Sequence, residues 1–120
     1  LGCRSLAGGA AMYAQVTSLQ VPINQMPLLR DLLETRYLPI VRQRPGFKAG
    51  YFLEQCDDPD SAQLILFWDD HASVEAFNRT GMLQASLHAL TAELPHLIVH
   101  REGYAVRVAV RSMPEVAAVG

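Results

Sequence analysis

The chain has 120 residues, half of them hydrophobic and 18% charged, with a formal net charge of -2. A chain of that length forms one domain that buries roughly two-thirds of its unfolded surface, and its charge balance supplies no field for nucleic acid or an anionic membrane. Cys3 and Cys56 form no close-spaced motif and require no oxidising compartment; no apolar run approaches the about 20 residues of a membrane span, so the expected location is the cytoplasm.

Residues 1–11, LGCRSLAGGAA, are rich in Gly and Ala, lack periodicity and are too weakly apolar for a signal-peptide core. They read as a leader or flexible arm, ahead of a folded domain over 12–110 and a loosely apolar tail over 111–120. Tyr13–Val21 is the first expected strand, apolar at Val16, Leu19 and Val21 with Gln15 and Thr17 interspersed, and Pro22 ends it. Asn24 is the expected N-cap of a helix with Pro27 in its first turn. Met26, Leu29, Leu33, Tyr37 and Ile40 recur at spacings of three and four and form its apolar face. Pro39 predicts a kink, Arg42 and Arg44 suit the C-terminal end, and Pro45–Gly46 closes the element.

Phe47–Cys56 reads as the second strand, with Phe47, Ala49, Tyr51 and Leu53 on one face and Phe52 on the other. Gly50 marks either a bulge or a close backbone approach, and Cys56 reads as a small apolar filler. Asp57–Ser61 is a turn by composition and joins this strand in a hairpin to Gln63–Trp68. Asp69 or Asp70 then caps a helix beginning near His71, with Val74 and Phe77 inward. Thr80–Gly81 interrupts the helical run; Leu83, Leu87, Leu90 and Leu94 make a second stripe that Pro95 ends. Ile98–Val110 is the last expected strand, long enough to reach past its own sheet.

Gln63–Trp68 is apolar on both faces: Leu64, Leu66 and Trp68 point one way, Ile65 and Phe67 the other. A half-solvated strand would alternate apolar with polar. Both sides of its sheet therefore need covering, and the two helical segments supply only one cover. A second copy of the chain supplies the other. The expected fold class is α+β, a ferredoxin-like β-α-β-β-α-β arrangement around a four-stranded antiparallel sheet.

A helix ending in Arg44-Pro45-Gly46-Phe47, a hairpin closing on Phe67-Trp68 and a short Glu75-Ala76-Phe77 helix resemble the antibiotic biosynthesis monooxygenase domain, over nearly all of residues 12–110. That family belongs to the dimeric α/β-barrel superfamily. The resemblance implies a homodimer whose two sheets form a barrel, and an apolar-to-polar pocket between sheet and helices in each subunit. Characterised relatives oxidise quinols or polyketide-derived aromatic rings with molecular oxygen and neither metal nor flavin; others degrade haem. It thus implies a cofactor-independent monooxygenase acting on a small quinol-like or phenolic compound, the alternative being a non-catalytic dimeric module that binds a small aromatic or apolar ligand. The haem-degrading branch carries an asparagine on the first strand, a tryptophan after the third and a histidine on the next helix. Here Trp68 matches, Thr17 stands nearest the asparagine, and the helix around Phe77–Asn78 offers no histidine. One quinol-oxidising subgroup has an asparagine four residues before the tryptophan, where this chain has Leu64.

Each candidate site residue reads two ways. The Trp68 indole N–H can orient a substrate oxygen while its ring lines the pocket, or Trp68 is a large core residue at a strand end. His88 can deprotonate a hydroquinone, but Gln84, His88 and Thr91 form a polar stripe that suits solvent. Tyr51 and Tyr37 either present hydroxyls to a phenol or pack as aromatics; Phe77, Leu64 and Leu66 complete the expected lining. His71 stands in a capping region. His96 and His100, in an extended segment, are about 13 Å apart and too far to share an ion, so no metal site is expected. Arg36, Arg42, Arg44 and Lys48 form the basic cluster, either an anion attractant or a solvated helix end. Dinucleotide, P-loop, zinc-protease and serine-hydrolase motifs are absent from the sequence.

Overall fold

The computed structural model describes residues 12–112; the expectations for 1–11 and for the end of the tail lie outside them. Strand β1 (Tyr13–Gln20) leads to α1 (Met26–Leu32), which passes through a π-helical turn (Leu33–Tyr37) into α2 (Leu38–Val41). β2 (Phe47–Glu54) and β3 (Ser61–Trp68) form the expected hairpin. Helices α3 (His71–Arg79) and α4 (Met82–Glu93) come next, and β4 (Ile98–Ala105) returns beside β1. The sheet is antiparallel with order β2-β3-β1-β4, the α+β ferredoxin-like arrangement.

Register decides which side chain faces which layer. Trp68 lies opposite Tyr13 and Phe47, Leu66 opposite Gln15 and Gly50, and Leu64 opposite Thr17 and Phe52. Directly paired residues share a face, so all of these look toward the helices, with Val99, Arg101 and Gly103 of β4. Leu64, Leu66 and Trp68 are 3%, 1% and 0% exposed there, in one core with Leu29, Leu33, Val41, Phe77 and Leu94. Among the described residues no element covers the other face of the sheet. It presents Val16, Ile65 and Phe67 at its centre, half-buried, and Tyr51, Leu53, Ile98 and Tyr104 exposed around them.

Several local expectations shift by a residue or two. Asn24 is not the N-cap: it sits at φ +69 in the turn after Pro22, a conformation asparagine tolerates, and Gln25 precedes α1 without a side-chain cap. In the π-turn the Leu38 N–H bonds back to the Leu33 carbonyl, five residues earlier. That extra residue per turn rotates the rest of the helix, so Val41 is fully buried and Ile40, expected inward, is 40% exposed. Pro39 has no N–H for the ladder, and the irregularity expected there takes the form of this widened turn. The β2 bulge falls at Lys48, between Phe47 and Ala49, rather than at Gly50. It turns Phe47 to the helix side and leaves Ala49, Tyr51 and Leu53 on the open side. Gly50 is the close approach: a Cβ there would lie 3.0 Å from Leu66 Cδ2 and 3.2 Å from Phe47 Cζ.

Cys56 is exposed rather than a filler, because β2 ends at Glu54 and Cys56 already belongs to the turn. Asp58 organises that turn, accepting from the Ser61 hydroxyl and the Asp60 N–H, and these bonds hold its carboxyl below the usual range. The last strand stops at Ala105 instead of Val110, since its partner β1 begins at Tyr13; Val108 and Val110 are 81% and 88% exposed. Asp70 caps α3 as expected, accepting from the Ser73 N–H at 2.9 Å. Leu83, Leu90 and Leu94 are buried and Leu87 packs against the same core.

Gly46 and Gly81 adopt φ +86 and +77. An alanine Cβ at Gly81 meets open space, whereas one at Gly46 would sit on the Ser73 side chain and disturb the α3 cap. Gly81→Ala is therefore expected to lose about 1–2 kcal/mol from the left-handed backbone alone, and Gly46→Ala distinctly more, measured by urea unfolding. Equal losses would contradict the packing around Ser73.

Candidate functional site

The two halves of the helix-facing sheet are filled differently. Over β2 and β3 lies an aromatic stack: Trp68 rests on Phe77 (centroids 5.5 Å apart, planes at 29°) and receives the edge of Phe47 (5.5 Å, 78°). Over the middle of β1 and β4, between Tyr13 at one end and Leu19 and Val99 at the other, the inward positions are Gln15, Thr17, Arg101 and Gly103, which fill less of the space. A cavity of about 330 Å³ results, lined by Tyr13, Gln15, His71, Asn78, Gln84 and Arg101. Below it, Thr17, Leu33, Leu64, Leu87 and Leu90 enclose a slot of about 20 Å³. Arg101 and Leu83 line both spaces. The site is a polar mouth above an apolar slot, with a cation at the seam.

Gly103 makes room for Tyr13, whose hydroxyl occupies the place of a Cβ on that glycine; the Tyr13 ring then lies 4.9 Å from the His71 ring, tilted at 54°. Gln15 is 5% exposed, and its side-chain oxygen has no hydrogen-bond partner. A buried acceptor left unpaired costs about 1–3 kcal/mol, so this amide is poised for a donor. Arg101 is half-buried, and no carboxylate among the described residues pairs with it. Its neighbour Glu102 also borders the cavity, but its carboxylate bonds Tyr104 and His100 on the other face of β4 and is held below the usual range. The Arg101 charge instead reaches Tyr37, where it opposes the larger effect of burial; the Tyr37 hydroxyl is pushed up to about 12.

The expected site residues separate. Leu64 walls the slot, and Tyr37 stands between the slot and an outer groove. Leu66 and Phe77, each 1% exposed, are core. Trp68 is 0% exposed and is not among the lining residues of these spaces; among the described residues its indole N–H is buried without a partner. Tyr51 lies on the opposite face, 55% exposed and edge-on to Phe67, because the Lys48 bulge separates its face from that of Phe47. His88 is exposed on the outer side of α4, as its polar stripe suggests, and lies outside the mouth. Of the basic cluster, Arg36 pairs with Glu93 at 3.8 Å and Lys48 with Asp69 at 3.2 Å at the surface, while among the described residues the Arg44 Nε is buried without a hydrogen-bond partner. Among the described residues no group of three His, Cys, Asp or Glu is placed to hold a metal. Gln15, Tyr13 and Arg101 were the residues hidden from sequence reasoning. The available signal was a polar side chain at inward strand positions, in phase with Leu19 on β1 and with Val99 on β4.

No protein-family model matches the chain, and no curated protein matches it. Solved structures do. A candidate antibiotic biosynthesis monooxygenase from Deinococcus radiodurans is similar with a TM-score of 0.71 at 16% identity, covering 85% of this chain and 99% of that one. SnoaB, a cofactor-independent oxygenase from Streptomyces nogalater, is similar at 0.68 and 22% identity, over 86% and 100%. A heme-degrading protein from Mycobacterium tuberculosis reaches 0.64 at 17%, over 87% and 100%. At these identities the likeness establishes the fold, which is the one that Phe47, Phe67-Trp68 and Glu75-Ala76-Phe77 resemble in sequence.

The raised Tyr37 value sets a pH dependence. Between the ordinary value of 10.0 and about 12 the folded chain keeps a proton that the unfolded chain releases. Stability is full below that window and falls as pH rises through it, by about 1.4 kcal/mol per pH unit from this one group. Tyr37→Phe is expected to flatten the decline by that amount in urea unfolding run above pH 10.0; unchanged slopes would show that the hydroxyl is not buried.

Proposed function

We propose that the protein is a cofactor-independent monooxygenase that oxidises a small quinol-like or phenolic compound with dioxygen, and that it works as a homodimer joined through its open sheet face. The fold alone does not assign a reaction. The observation that carries this reading is the cavity of Gln15, Tyr13, His71 and Arg101. An unpaired guanidinium favours the anion of a bound phenol, and an orphan amide oxygen accepts from a second hydroxyl on the same ring. In this reading His71, which borders the cavity with Nε2 3.8 Å from Glu75, takes the phenolic proton in place of the exposed His88.

The chemistry needs no external electron donor. One oxygen atom enters at a ring carbon of a hydroquinone as a hydroxyl. The two hydroquinone hydroxyl hydrogens leave with the other oxygen as water, and the ring itself supplies the four electrons, ending as a hydroxyquinone. The protein's part is to stabilise the electron-rich anion and the negative charge that passes to oxygen, which is electrostatic work for Arg101.

The second reading, a dimeric module that binds a small aromatic ligand without turnover, draws on two facts: Trp68 is sealed off from the cavity, and Leu64 stands where the quinol-oxidising subgroup has an asparagine. A panel of hydroquinones with isotopically labelled dioxygen separates the two. The expected result is one labelled oxygen in the product, none without dioxygen, and a fall in kcat/KM of about 100-fold in Arg101→Met. Saturable binding with no oxygen consumed would favour the binding module and overturn the enzymatic reading.

A further inference from the structure

The slot beneath Arg101 is the smaller of two joined spaces. Its volume is about 20 Å³, against about 330 Å³ for the mouth above it, so of the two it suits the smaller reactant. Its walls are chiefly Leu19, Leu33, Leu64, Leu87 and Leu90. Thr17, Tyr37 and Arg101 bring the polar groups, and the rest of the lining is apolar. The space suits a small apolar molecule.

Its position adds a second constraint. On one side the slot shares Arg101 and Leu83 with the polar mouth; on the other it shares Tyr37 and Leu90 with a groove of about 260 Å³ between α1–α2 and α4. That groove opens between Ile40 and Met82, which are 40% and 39% exposed, and small residues, Ala85 and Ala89, form its floor. The π-turn carries Tyr37, and widened turns of this kind recur at functional positions.

We propose that this slot is the dioxygen site of the reaction, and that dioxygen reaches it from the helix-side groove past Tyr37 and Leu90. The organic substrate meanwhile occupies the mouth above Arg101. Dioxygen held there is adjacent to a ring anion across a shared wall. One electron passing from that anion to dioxygen leaves a ring radical and superoxide, and the superoxide charge forms beside the Arg101 guanidinium. The chemistry rests on the monooxygenase reading; occupancy of the slot does not.

Dissolved dioxygen is paramagnetic and relaxes nearby nuclei, so leucine methyl NMR under oxygen pressure tests occupancy on the unmodified protein. Methyls of Leu64, Leu83 and Leu87 are expected to relax several-fold faster than those of Leu29 and Leu94, which are buried but line none of these spaces. Uniform relaxation across these leucines would overturn the site, even in an enzyme that turns over. Leu87→Phe is expected to abolish the excess and to raise the KM for dioxygen several-fold, with the dissociation constant for a hydroquinone unchanged. Loss of the excess with an unaltered KM for dioxygen would overturn its part in the reaction. Localised relaxation in a protein that oxidises no hydroquinone would keep the gas-binding slot and remove the monooxygenase reading instead.

Discussion

The structure depends on one strand being apolar on both sides. β3 sits between β2 and β1, and burying each of Leu64, Leu66 and Trp68 contributes about 1.5–3 kcal/mol. That gain fixes the helical layer on one side of the sheet. It also divides the layer beneath the helices. Trp68, Phe47 and Phe77 fill the β2–β3 half solidly, so the remaining half, over β1 and β4, is where polar inward residues can be carried without dissolving the core. Gln15 and Arg101 stand there because the aromatic stack next to them does the packing.

Such a site works against stability. Among the described residues the Gln15 amide oxygen has no donor and the half-buried Arg101 guanidinium no carboxylate, and both features destabilise the unliganded fold. Residues that impose such a cost are where binding is to be sought. The surface ion pairs, by contrast, join exposed side chains such as Arg36–Glu93 and add little either way. The useful contrast within the molecule lies between Arg101 and Glu102. Adjacent in sequence, they face opposite sides of β4, so the carboxylate that would otherwise neutralise the cation is spent on Tyr104 and His100 instead.

Elements whose signals are local were legible in the sequence. The unbroken apolar run Leu64–Trp68, the turn built on Asp58, the cap at Asp70 and the leucine stripe of α4 each need only a few neighbouring residues. What escaped depends on irregularity or on register. One extra residue in the π-turn moved burial from Ile40 to Val41. One extra residue at Lys48 turned Phe47 toward Trp68 and left Tyr51 on the far side of the sheet, which removed it from the site. Arg101 became a site residue only through its pairing with Thr17 across β1 and β4, a relation between strands more than eighty residues apart in the chain. Whether Trp68 walls a pocket or seals a core is likewise set by what the neighbouring strand leaves empty.

The second face of β3 brings the same constraint back. Ile65 and Phe67, with Val16 beside them and Tyr51 nearby, form an apolar patch bordered on β4 by the Glu102, His100 and Tyr104 side chains, and such a patch suits an interaction site. Packing it on its own copy removes that surface from water and leaves both polar mouths open on the helix sides. Sedimentation equilibrium of the dilute protein tests this most directly. A mass of two chains, falling to one chain in Phe67→Glu with the helical signal kept, is the predicted result; a single-chain mass for the unmodified protein, folded and soluble with this face in water, would contradict it.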